Sequence, residues 1–230
     1  MLLFIAFNLQ AQSVDSLLPR ADSLFNQKRY TQSMDLYKQI LSQDRYSESI
    51  LLKLAFIEEG LGQISQSLYY LQLYYLASND ENALLKMVEM AEQHNLYGYK
   101  PGQARQIYFL LRANFNMIAK VLLGLSVFLF ALLLYRKRKQ KQPLATAISL
   151  LIVLSMLFLH VNFSQRINLG IVSQNATYLM SGPSAGSSVV GIVSEGHLLD
   201  LLDKKDVWVH VKWMNQDAYI KEDKILKIEL

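Results

Sequence analysis

Residues 115–163 decide the architecture: FNMIAKVLLGLSVFLFALLLY (115–135), RKRKQKQP (136–143) and LATAISLLIVLSMLFLHVNF (144–163). Neither apolar run carries an Asp or Glu, and their only ionisable side chains are Lys120, Tyr135 and His160. At about 1.5 Å per residue, each run of about 20 residues matches the roughly 30 Å hydrocarbon core of a bilayer. Both are predicted transmembrane helices. The linker must lie in water, because a Lys or Arg at the bilayer centre costs about 2.5–3.5 kcal/mol. The sequence therefore predicts a helical hairpin with Lys120, His160 and Asn162 near its outer ends, where a lysine reaches the interface along its own methylene stem.

Charge follows the same division. The chain has 230 residues and a formal charge of +4. Arg136, Lys137, Arg138, Lys139 and Lys141 fall within six positions, and without them 18 basic residues face 19 acidic ones. A basic excess confined to one short run does not suit a phosphate backbone, so no nucleic-acid partner is expected. It suits the positive-inside rule, which places these five residues in the cytoplasm and both flanking regions across the membrane. Residues 1–11 (MLLFIAFNLQA) resemble the end of a secretory signal, in keeping with that orientation. Hydrophobic residues make up 52% and charged residues 18%, which excludes disorder. With no cysteine, disulfides, thiolate nucleophiles and Cys-ligated metals are excluded as well.

Residues 13–112 read as helical repeats. Periodicity runs from residue 14 to about 78, and a shift of 34 residues superposes Leu17 on Leu51, Ala21 on Ala55, Lys28 on Gly62, Tyr30 on Ile64, Ser33 on Ser67 and Tyr37 on Leu71. Small residues at 21 and 33 let paired helices approach, while Lys28-Arg29 breaks the pair. This 34-residue helix–turn–helix period resembles tetratricopeptide repeats. One departure is that Leu24 aligns with Glu58. A third unit keeps one helix, Asn82–His94, followed by NLYGYKP, and with residues 102–112 it is expected to close the stack. Such stacks offer a groove, whose candidate partner-binding residues are Asp22, Phe25, Asn26, Phe56 and Glu59; the simpler reading makes them a solvated face. Glu58-Glu59 and Glu89/Glu92 are expected on solvated faces.

Residues 168–230 change to short β-rich runs: GIVSQ from Gly170, TYLM from Thr177, SVVGIV from Ser188, HLLDLL from His197, VWVHVKW from Val207 and AYIK from Ala218. Turn residues between them predict five or six strands in a small barrel. The run Leu179–Ser184 with Gly182-Pro183, Glu195-Gly196 before a strand, Val207–Val211 and Tyr219-Ile220 resemble a bacterial SH3 domain. Alternation puts Val207, Val209, Val211 and Trp213 on one face, with Trp208, His210 and Lys212 on the other. The resemblance implies a ligand site, for which Tyr178, Trp208, His210 and Tyr219 are candidates; such aromatics also fill small barrel interiors.

Catalytic patterns are missing from the sequence. His94, His160, His197 and His210 have no metal-binding spacing, SGPSAGSS lacks the Gly-Lys-Ser/Thr ending of a phosphate loop, and no nucleophile elbow occurs. The expectation is a non-enzyme without metal or cofactor. The fold class expected is a multidomain membrane protein: an all-α tetratricopeptide-like solenoid, two transmembrane helices and a small all-β SH3-like barrel.

That order of parts, with Gly98-Tyr99 after the last repeat helix, closely resembles the BatE family of Bacteroidetes aerotolerance proteins over nearly the whole chain. The resemblance implies a two-pass inner-membrane protein with both terminal domains in the periplasm. It also implies work beside von Willebrand A-domain membrane proteins and a MoxR-type ATPase in envelope stress or aerotolerance. Two functions follow as expectations: a scaffold binding protein partners, or a cell-wall sensor whose SH3-like domain binds peptidoglycan.

Overall fold

The structure, a computed structural model, describes residues 14–100, 114–140, 142–163, 168–214 and 216–230. The signal-like segment, the closing stretch 102–112 and Lys141 lie outside these residues. The chain divides into two compact units, one formed by residues up to Tyr99 together with Leu169–Leu230, the other by Lys100–Asn168.

The first unit begins with five helices: α1 (Val14–Asn26), α2 (Tyr30–Leu41), α3 (Glu48–Gly60), α4 (Ile64–Ser78) and α5 (Glu81–Gln93). Two helix pairs share equivalent contacts at the 34-residue spacing. Ser33 Oγ donates to the Ala21 carbonyl and Ser67 Oγ to the Ala55 carbonyl, both at 2.9 Å. Each bond ties the second helix of a pair to the first where a small residue lets the backbones approach. Lys28 and Gly62 both take positive φ, 60° and 75°, so both pairs turn through the left-handed region at the same point. Leu17, Leu51, Ala21, Ala55, Tyr37 and Leu71 are all buried. Pro19 lies inside α1, where the periodicity reads straight through it and one i→i−4 bond is lost. α5 starts on Asp80, whose carboxylate accepts from the Asn82 N–H.

The same unit contains seven antiparallel strands: β1 (Leu169–Val172), β2 (Thr177–Met180), β3 (Val189–Val193), β4 (Leu198–Lys205), β5 (Trp208–Trp213), β6 (Gln216–Lys221) and β7 (Ile225–Lys227). Their order is β3-β2-β6-β5-β4-β1-β7. The expected barrel is corrected by this order, because β3 and β7 are edges and, among the described residues, no ladder joins them. β7 was not anticipated; it is three residues long, too short for alternation to register. Val209 and Val211 enter the core with Val172, Leu179, Val193, Leu199, Ala218, Ile220 and Ile225, and Trp213 packs against it. Each fully buried aliphatic contributes about 1.5–3 kcal/mol. Val207 departs from the expected alternation: it precedes β5, in the turn, and is exposed. Glu222 ties the end of the sheet together by accepting from Lys204 and Lys227, which hold its carboxyl down at about 2.

Helices and sheet share one body because α4 is apolar around most of its circumference. Leu68, Tyr70, Leu71, Leu73 and Tyr75 are all buried, as a helix covered on two sides requires. One side packs on α3 and another on β1, whose four residues are all buried. Ser65 Oγ donates 2.9 Å to Glu195. Residues 96–99 complete the junction. The Tyr97 carbonyl accepts from the Leu198 N–H at 2.9 Å, and the Tyr97 N–H donates to His197 Nδ1 at 2.8 Å. The Tyr97 and His197 rings each meet Trp213 edge-on at 5.1 Å. Gly98 has φ +100°, and a Cβ there would lie 2.0 Å from the Leu198 carbonyl oxygen, so only glycine fits.

In the second unit α6 (Phe115–Arg138) packs against α7 (Leu144–Phe163). Both are long and apolar enough to cross a membrane. α6 runs three residues past the expected end at Tyr135, so Arg136, Lys137 and Arg138 form its last turn, where cations favour the helix C-terminus. Arg136 donates to Thr146 Oγ1 at 3.1 Å, and His160 stacks on Phe115 at 4.7 Å, holding the hairpin near both ends.

Candidate binding surfaces

The five residues expected in the repeat groove fall on α1 and α3. Asp22 Oδ1 accepts from Tyr37 Oη at 2.5 Å and from Lys53 Nζ at 2.7 Å. Partial burial alone would raise the Asp22 carboxyl, but the Lys53 and Tyr37 hydrogen bonds and the Lys53 charge outweigh it and hold it below the usual carboxylate range. Phe25, Tyr30 and Phe56 form an edge-to-face trio with centroids 5.4–5.9 Å apart. Lys53 Nζ sits 5.5 Å from the Phe25 centroid. Glu59 pairs with Lys86 of α5 at 2.8 Å and raises the Lys86 amine.

These contacts join α1 to α3 and α3 to α5, so the charged members of the set are already engaged. Phe56, 53% exposed, presents the open apolar surface, and Asn26 is exposed at the end of α1. Sequence reasoning missed Tyr30, Lys53 and Lys86 as part of this face. Lys53 lies 31 residues from Asp22, a separation at which only the stacked repeat shows the pairing.

Glu58 corrects an expectation: it is 3% exposed rather than solvated. Lys38 Nζ lies 2.8 Å from Glu58 Oε1, an ion pair by distance whose angles do not meet those of a hydrogen bond. The buried Gln72 Nε2 has no hydrogen-bond partner among the described residues.

On the sheet, the four expected ligand residues divide between two places. Tyr178 and Trp208 line a cleft of about 510 Å³ together with Thr177, Met180, Val189, Lys221 and Lys224. Trp208 is 8% exposed and forms part of the wall, while Tyr178 is 56% exposed at the side. Lys221 Nζ lies over the Trp208 ring, 5.8 Å from its centroid.

His210 and Tyr219 are Cα partners of β5 and β6, with rings stacked at 4.8 Å. They do not line the cleft. His210 Nδ1 lies 2.6 Å from Asp203 and Nε2 3.2 Å from Asp217, so both ring nitrogens are engaged on the sheet itself. Lys221 and Lys224 were missed because isolated lysines near a chain end carry no pattern; the strand register, which sets Lys221 opposite Trp208, places the first. Compared with known proteins, the chain matches no family model and none of the curated sequences.

Proposed function

We propose that this protein is a two-pass membrane adaptor, in which a tetratricopeptide-like helical stack and an SH3-like sheet act as one recognition body anchored by the α6–α7 hairpin. The observation that carries the reading is the shared core of α4 and β1. Two segments separated in sequence by both apolar helices pack together, which supports a single compartment for both and an even number of membrane crossings between them. The basic run after Tyr135 then favours the periplasm for that body. The exposed Phe56 beside the Asp22–Lys53 and Glu59–Lys86 pairs supports partner binding on the helical face, since aromatic residues are enriched at interfaces whose rims are polar. The BatE resemblance extends the proposal to von Willebrand A-domain membrane proteins and a MoxR-type ATPase as partners, and to envelope stress or aerotolerance as the setting.

A photo-crosslinking residue at position 56 tests this in cells. The adaptor reading expects specific adducts with integral membrane proteins, lost when the neighbouring Phe25 is replaced by Glu. Absence of any specific adduct at position 56 overturns it. The Tyr178–Trp208 cleft supports a second reading, a cell-wall sensor, which requires saturable muropeptide binding that depends on Tyr178.

A further inference from the structure

We propose that the cleft beside Trp208 receives an extended acidic segment of a protein partner, its carboxylates on Lys221 and Lys224 and an apolar side chain against Tyr178, Met180 and Val189. This rests on the adaptor reading and assigns the chemistry of one of its two surfaces.

Charge is the first argument. Residues 168–230 hold eight Asp and Glu against six Lys, yet the cleft is lined by two lysines and no carboxylate. Of the neighbouring carboxylates, Glu222 accepts from Lys204 and Lys227, and Glu195 accepts from Ser65 and from Asn175 at the cleft wall. Lys224 donates to Gln174 Oε1 at 2.6 Å and lies 3.7 Å from Asp223, so its charge is only loosely offset. Lys221 meets the Trp208 ring and, among the described residues, makes no ion pair. An ammonium held on an indole face is attracted to the ring but not neutralised by it, so an arriving carboxylate gains a full charge partner. Two cations call for two carboxylates. An Asp/Glu run supplies both, whereas a lone chain terminus supplies one.

Shape is the second argument. A volume of about 510 Å³ takes a few side chains, not a folded domain. Val189 begins β3, the sheet edge paired only with β2 among the described residues. Its outer backbone groups are available to an added strand, and Tyr178 with its Cα partner Ile192 presents exposed apolar surface beside that edge. An extended peptide satisfies the edge with its backbone while alternate side chains enter the cleft.

The test uses the full-length protein in lipid nanodiscs, titrated with a fluorescein-labelled, amidated hexapeptide of alternating Glu and Leu. A Gln-for-Glu version and a soluble muropeptide are the comparison probes. The Glu peptide is expected to bind with an affinity that falls as salt rises, and the Gln peptide about tenfold more weakly. Lys221→Met is expected to weaken the Glu peptide by about fivefold or more, while Lys212→Met, on the same face outside the cleft, leaves it unchanged. Equal binding of the Glu and Gln peptides, indifference to Lys221→Met, or preference for the muropeptide overturns the proposal. If the cleft fails while adducts from position 56 persist, the adaptor reading stands without this ligand; if both fail, that reading falls too.

Discussion

The Tyr99 hydroxyl donates 2.7 Å to the carbonyl of Gly196, joining residues 97 positions apart on either side of the two apolar helices. Tyr99 is buried, and burial drives its hydroxyl well above the usual tyrosine range, so it remains a neutral donor. Next to it Gly98 lies against the Leu198 carbonyl, and Gly196, at φ +89°, lies against the Leu96 side chain. This junction makes one body of helices and sheet.

Replacing Tyr99 with Phe is expected to destabilise the helix–sheet body by about 1–3 kcal/mol, because the Gly196 carbonyl is left buried without its donor. Gly98→Ala is expected to do more: its Cβ collides with backbone, and its φ disfavours any L side chain. Calorimetry in detergent checks both. One cooperative transition is expected for the parent and two for Gly98→Ala, as the sheet uncouples from the helices.

The same junction is expected to loosen in acid. His197 accepts the Tyr97 N–H on Nδ1, which requires the neutral ring, and burial lowers its affinity for a proton below the usual value of 6.5. A lowered histidine contributes its full stability above 6.5. That contribution is lost as pH falls from there to the folded-state value, because only the unfolded chain takes up the proton over that window. His197→Asn keeps an acceptor that does not titrate. Unfolding midpoints between about pH 5 and pH 8 are expected to slope for the parent more steeply than for this variant; identical slopes would show that His197 carries none of the acid sensitivity.

Glu58 occupies the position that Leu24 holds in the first repeat, and its charge is balanced by Lys38. Lys38→Met leaves a buried carboxylate without a counter-charge and is expected to be clearly destabilising. Glu58→Leu removes the charge and is expected to be neutral or stabilising, since an apolar replacement of a buried ion pair usually is. Denaturant titration of the two variants decides it; greater loss in Glu58→Leu would mean that the ion pair itself holds the repeats in register.

Asp22 provides a second pH signature. Its carboxyl is held low, so its contribution is complete above the usual carboxylate value of 3.8 and is lost as pH falls through its own lower value. Asp22→Asn is expected to reduce the loss of stability below about pH 4 and to weaken binding at Phe56, because Lys53 loses the partner that holds it over Phe25. Acid unfolding and crosslinking at position 56 report the two effects separately.

Much of this was readable in one dimension. The two long apolar helices are visible because length and composition are read directly along the chain. The repeat is visible because each pair of helices meets the same steric demand, which is why serine and alanine recur at 33 and 67 and at 21 and 55. Strands β1 to β6 follow from alternation between turn residues.

The contents of the candidate surfaces were legible only in part. Phe56 and Tyr178 stand out as aromatics, but whether a charge beside them is free depends on neighbours remote in sequence. Asp22 is engaged by Lys53, Glu58 is buried against Lys38, and Lys221 lies over Trp208 through the strand register.

By itself, then, the sequence determined where the helices, strands β1 to β6 and the apolar spans lie, because periodicity and length are properties of neighbours along the chain. Only the tertiary structure decided that the sheet stays open between β3 and β7, and that α4 and Tyr99 bind it to the helices. The first depends on how strands tens of residues apart pair and the second on contacts across about a hundred residues, and even the warnings in the sequence, a helix apolar on nearly every side and a glycine followed by tyrosine, do not say what will cover them.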